Sequence, residues 1–219
     1  MNPPVSQTSS IPTLLSNANS HPLPLNFKTI SAPAEASFTE QKSKFLSFIH
    51  PVESAEDAKA IVKDYAKRFY DARHVCWAYM IGADRLTFLS SDNGEPSGTA
   101  GKPILGQINS FEITNVVIAV VRYFGGIKLG TSGLIAAYRE AARLAIEAAD
   151  IVESKEMTNI SFTFPYIAMN DVMKLIKSSP ARISDQSFDN TCAITLSLPL
   201  DDAPALLDAL SKLSGVSVR

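Results

Sequence analysis

Asn115-Val116-Val117-Ile118-Ala119-Val120-Val121-Arg122-Tyr123-Phe124-Gly125-Gly126-Ile127-Lys128-Leu129-Gly130-Thr131-Ser132-Gly133 is the stretch that decides the fold. Val116 to Val121 are all apolar and do not alternate with polar residues, the pattern of a strand buried on both faces. The glycines that follow end the strand. An Ala-rich run beyond them predicts a long helix over about 133–149, capped by Thr131 or Ser132. The order of strand, glycine-rich loop and helix start aims unpaired backbone amides, and the positive end of the helix dipole, at one place that favours an anion.

Upstream, Ser91-Asp92-Asn93-Gly94-Glu95-Pro96-Ser97-Gly98-Thr99-Ala100-Gly101-Lys102-Pro103 is too rich in Gly, Pro and small polar residues to be a core element. It feeds a short helix over about 103–109, with Pro103 in the first turn. Before it, His74–Ile81 and Arg85–Ser91 read as strands around a Gly82-Ala83-Asp84 turn. Ser54 and Asp57 open a helix over 54–70 with the spacing of a capping box. Residues 28–37 and Lys44–Ile49 read as a hairpin, and residues 1–27 as a flexible tail.

Near Lys155 the pattern restarts. Strand 157–164, helix 166–177, strands 182–188 and 191–198, helix 201–213 and strand 215–218 give β-α-β-β-α-β, the ferredoxin-like order. The expected organisation is therefore α+β, with a tail at 1–27, a first domain at 28–155 and a second at 156–219.

The loop at 124–133 has two readings. Arg122, Gly125, Gly126, Lys128, Gly130, Thr131, Ser132 and Gly133, extended by Lys102, Arg139 and Arg143, would meet a phosphate or an RNA backbone. Alternatively the glycines serve only a tight turn. In the loop at 92–103, Asp92 and Glu95 are close enough for acid–base work or Mg²⁺. Hydrogen bonding to nearby amides within the turn is the stronger reading for them.

Several chemistries find no pattern here. Neither loop has the spacing of a Walker loop or of a dinucleotide fingerprint. His74 and Cys76 face one side of a strand, but three histidines and two cysteines scattered along the chain do not make a zinc site. No deaminase motif or Gly-x-Ser-x-Gly elbow occurs. Trp77, Tyr79, Tyr123 and Phe124 could stack bases, but aromatic residues on strands are more often core, and core is the preferred reading. A formal net charge of -2 gives no overall pull toward a polyanion, so a local patch would have to hold one. The two cysteines read as buried thiols of a cytoplasmic protein, and no apolar run reaches the roughly 18 residues of a membrane span.

The two long loop segments, with the Lys44-Phe45 strand and His74-Val75-Cys76-Trp77-Ala78-Tyr79, resemble the IMPACT/YigZ family from about residue 36 to the C-terminus. In the first loop the resemblance rests on Asp92, Gly94, Glu95, Ser97, Gly98, Thr99 and Gly101. It implies a first domain like the second domain of a small-subunit ribosomal protein, and a ferredoxin-like second domain akin to one in elongation factor G. It also implies translational control, which eukaryotic members exert on an initiation-factor kinase using an extra N-terminal domain that residues 1–35 are too short to supply. The chain departs from the family pattern at Asn93, where a second acid is usual, and at Ser132, where a glycine is usual.

The preferred expectation is a non-enzymatic protein that binds RNA or the ribosome through both loop–helix starts, with no cofactor and no metal. An enzyme acting on a phosphorylated small molecule or nucleotide in the same cleft is the alternative. A protein–protein adaptor using the C-terminal domain is a third reading.

Overall fold

The computed structural model describes residues 26–189 and 191–219. They fall into two compact units, divided in sequence between Glu156 and Met157. The fold class is α+β.

The first unit runs β1 (Asn26–Ile30), β2 (Ala34–Glu40), β3 (Ser43–Pro51), α1 (Ala55–Arg68), β4 (His74–Ile81), β5 (Thr87–Ser91), α2 (Gly101–Ser110), β6 (Val116–Tyr123), α3 (Gly130–Glu147) and β7 (Ile151–Lys155). Five strands form an antiparallel sheet in the order β2-β3-β6-β4-β5. β6 is central, as its unbroken apolar run requires, and no residue from Val116 to Val121 is more than 1% exposed. Alternation along the strand sends Val116, Ile118 and Val120 into a core shared with Ile104 and Ile108 of α2 and Ala141 and Ala142 of α3. Val117, Ala119 and Val121 pack on the other face, in clusters with Ala58 and Tyr65 of α1. Two helices therefore cover one face of the sheet and one helix the other.

α1 starts as its sequence predicts. The Ser54 hydroxyl accepts from the Asp57 amide at 3.1 Å and donates to the Asp57 carboxylate at 2.6 Å. The first hairpin differs from expectation. The stretch 28–37 is two strands interrupted at Ser31-Ala32-Pro33, where proline offers no amide to a ladder. β2 is the hairpin partner of β3, whereas β1 leaves the hairpin and pairs antiparallel with β7. Asn26 and Phe27, expected in the tail, belong to β1. The rest of that tail lies outside the described residues.

The second unit runs β8 (Met157–Phe164), a 3-10 turn at Tyr166–Ala168, α4 (Met169–Lys177), β9 (Arg182–Phe188), β10 (Cys192–Pro199), a 3-10 turn at Leu200–Asp202, α5 (Ala203–Ser211) and β11 (Ser217–Val218). Its antiparallel sheet has the order β11-β8-β10-β9, the ferredoxin-like arrangement. Phe162, Phe164, Ile194, Leu196 and Leu198 pack against Val172 and Ile176 of α4 and Leu206 and Leu210 of α5. Among the described residues, no helix is long and apolar enough to cross a membrane.

Candidate functional site

Two helices of the first unit begin directly after the glycine-rich loops. The start of α2 is closed. Asn93 and Gly94 take positive φ, 40° and 86°, and fold the loop back so that the Asp92 carboxylate lies over the first turn. It accepts from the amides of Gly98 at 2.7 Å, Ala100 at 2.9 Å and Gly101 at 2.8 Å. Partial burial pushes the Asp92 pKa up, but these amides and the nearby Lys102 ammonium outweigh it and hold the group below the usual carboxylate range. Gly101 is glycine for packing, because a Cβ there would lie 2.7 Å from the Ser91 amide nitrogen. Thr99 turns its hydroxyl onto the Pro96 carbonyl at 2.6 Å. The anion at this helix start is the chain's own Asp92, which corrects the expectation of two open starts.

Glu95 points inward from the same loop and is 9% exposed. Its carboxylate receives the Arg122 guanidinium at 2.7 Å and the Tyr138 hydroxyl at 2.8 Å, with His74 Nε2 at 4.0 Å. One carboxylate thus ties the loop to β6, α3 and the start of β4. His74 Nδ1 lies 2.8 Å from the Asn93 carbonyl and is the donor of that hydrogen bond, since a carbonyl only accepts. Beside it, the Cys76 thiol lies 2.9 Å from the Asp92 carbonyl and 3.3 Å from the Tyr138 hydroxyl. Burial pushes the Cys76 pKa up to about 12, with Glu95 and Asp92 adding to the rise and Tyr138 opposing it. Burial, reinforced by Cys76 and Glu95, also raises Tyr138. Both stay neutral near pH 7, which suits a protonated Tyr138 donating to Glu95.

Arg122 is accordingly not a free cation. Its side chain is 8% exposed and lies 5.7 Å from the ring centres of both Phe45 and Phe124. The expectation that it faces a phosphate is corrected. A buried guanidinium needs a buried carboxylate, and Glu95 supplies it.

The start of α3 is open. Leu129 has φ -75° and ψ -20°, Gly130 then turns the chain with φ 70°, a conformation glycine adopts without strain, and no side chain caps the helix that starts there. Thr131 and Ser132, expected as caps, lie in the first turn instead. Lys128, Gly130, Thr131 and Ser132 are exposed. The preceding glycines do structural work. A Cβ on Gly125 would fall 2.0 Å from the Lys42 carbonyl carbon, and the Gly125 amide donates to the Ser43 hydroxyl at 3.2 Å. Gly126 turns the chain with φ 87° and has open space beside it. Gly133 is half-buried in the same first turn, where a Cβ would meet that of Leu129 at 3.1 Å.

The remaining cations divide. Arg143 is held by Glu140 at 2.6 Å and by Glu147, both on its own helix, so it does not extend a free patch. Lys102, Lys128 and Arg139 are exposed, as is Ser97, and Gly98 is half-buried. Among the described residues no group of three or more His, Cys, Asp or Glu is placed to hold a metal. His74 and Cys76 share a side of the strand by alternation alone, but nothing local points to Tyr138 as the third group there, 62 residues beyond Cys76.

Residues 41–146 match the Impact N-terminal domain. An IMPACT family member from Haemophilus influenzae is 33% identical over 160 residues, covering 72% of this chain and 78% of that protein. The IMPACT family member YigZ from Escherichia coli is 31% identical over 171 residues, covering 77% and 84%. The crystal structure of a hypothetical protein superposes with a TM-score of 0.72 at 28% identity, over 90% of this chain and 97% of that one.

Proposed function

The chain belongs to the IMPACT family, and from that premise we propose that it is a non-enzymatic, translation-associated regulatory protein that holds RNA, free or within the ribosome, at the open start of α3. The observation that carries this reading is the uncapped first turn of α3, exposed at Gly130, Thr131 and Ser132 and preceded by exposed Lys128. Such a turn offers amide donors and a positive dipole end to a phosphate. Arg139 lies two to three turns further along and adds charge on the same helix. Lys102 stands at the closed start of α2 and contributes attraction at longer range. The translational role is supported by the family resemblance. Control of a kinase is not carried over, because human Protein IMPACT matches over only 95 residues, 30% of its length.

Binding of fluorescein-labelled RNA to the full chain, measured by anisotropy across a salt series, tests the reading. Affinity should fall steeply with salt, and Lys128→Glu should weaken it at every salt concentration. Salt-insensitive binding that is equal in wild type and Lys128→Glu would contradict it.

A protein partner at the ferredoxin-like unit is a second reading, favoured by one observation. β9 is an edge strand exposed at all seven of its residues, the kind of edge to which a partner adds a strand. Pull-down with and without residues 156–219 tests it; identical partners in both would count against it.

A further inference from the structure

A groove of about 270 Å³ opens between α1 and β4, on the sheet face opposite α2 and α3. Lys59, Val62, Lys63 and Ala66 of α1 form one wall, Val75 and Trp77 of β4 the floor, and Asn93 one end. The short side chains of Val62 and Ala66 line the groove, and Trp77 beside them is partly exposed. The indole is steadied by Tyr79, two residues along the same strand, whose ring lies parallel to it with 5.8 Å between centroids and 8° between the planes. Asn93 is fixed by its amide, which donates to the Val75 carbonyl at 3.0 Å.

We propose that this groove binds one nucleotide of a single-stranded RNA, its base on Trp77 and the phosphates on either side of it against Lys59 and Lys63. Three features select that occupant. A partly exposed indole stacked with Tyr79 in an apolar slot suits a flat aromatic ring. The volume suits one base with its sugar. The described lining holds two lysines and no carboxylate, so it suits a ring whose attached groups carry negative charge, as a nucleotide's phosphates do. The lysines stand one helical turn apart, about 5–6 Å between Cβ atoms, a spacing of the order of that between successive backbone phosphates. The location of the groove is independent of the α3 reading; only the choice of RNA over another anionic aromatic rests on it.

Trp77 is the chain's one tryptophan, so its emission reports directly on the groove. Titrating a seven-nucleotide RNA into the full chain should quench that emission saturably. The double variant Lys59→Glu/Lys63→Glu should lose at least about ten-fold in affinity and lower the slope of log K against log salt by about 1.4, at roughly 0.7 per phosphate of a single strand. By anisotropy with labelled RNA, Trp77→Leu should weaken binding about ten-fold or more, as expected for the loss of one base stack. The lysine pair is exposed, so its reversal tests the groove even where Trp77→Leu disturbs folding. Lys128→Glu separates the two sites: it should weaken overall binding while the remaining complex still quenches Trp77. Bound RNA that leaves the emission unchanged would overturn the inference, as would wild-type affinity in the double lysine variant. Uridine monophosphate quenching as strongly as the heptamer would also overturn it, in favour of a free-nucleotide site.

Discussion

α2 and α3 each follow a glycine-rich loop, and each begins at a glycine, Gly101 and Gly130, yet the chain treats the two starts in opposite ways. At α2 an acid nine residues upstream bends back and takes the Gly98, Ala100 and Gly101 amides. At α3 no side chain caps the first turn, and Lys128 rather than an acid precedes it. A helix start that carries its own carboxylate has no need of an external anion. One flanked by a cation and left without a cap favours an external one. Similar composition therefore serves two ends: the first loop fastens the fold, and the second leaves donors exposed beside a surface. The fastening runs through Glu95 into Arg122 and Tyr138, so the closed loop also holds the strand and helix on either side of the open one.

Substitutions in the closed region should cost stability. The largest effect is expected for Glu95→Ala, which leaves the Arg122 guanidinium buried without its partner. Loss of one member of a buried pair costs about 3–5 kcal/mol, and urea denaturation measures it. Asp92→Ala should follow at about 2–3 kcal/mol, because three amides lose a charged acceptor, and loop 92–103 should then be cut faster by a protease. The low pKa of folded Asp92 sets a sign for pH. Its contribution is fully present above the ordinary carboxylate value of 3.8 and is lost as pH falls from there through the lower folded value. Stability of the wild type should thus decline more steeply below about pH 4 than that of Asp92→Asn, as thermal melts across pH would show. The smallest effect on stability belongs to the open region. Lys128→Glu should change it by less than about 0.5 kcal/mol while lowering the RNA salt slope by roughly 0.7. Equal stability losses at Glu95 and Lys128 would break the comparison.

The sheet's centre was legible because Val116–Val121 can satisfy only a doubly buried strand, and α1 because Ser54 and Asp57 are local partners. The ferredoxin-like order was legible from hydrophobic periodicity alone. What escaped the sequence was non-local. β1 pairs with β7 across more than a hundred residues, and Ile151-Val152-Glu153-Ser154-Lys155, two apolar residues followed by three polar ones, resembles loop until that partner is present. Glu95 could not be matched to Arg122 and Tyr138, 27 and 43 residues away. Asp92 read as a turn former, which it is, but its reach to the start of α2 depends on the positive φ of Asn93 and Gly94. Thr131 and Ser132 looked like caps because they are good ones; the turn into α3 is made instead by Gly130 at φ 70°, next to Leu129, which packs against the main core.

The most direct test watches both helix starts in one experiment. In an amide-resolved NMR titration of the ¹⁵N-labelled chain with a short RNA, the account predicts saturable shifts at Gly130, Thr131, Ser132 and Gly133. The Gly98, Ala100 and Gly101 amides should stay in place. Shifts at Gly98–Gly101 with none at Gly130–Gly133 would contradict it, as would a spectrum in which neither start responds to RNA that is bound.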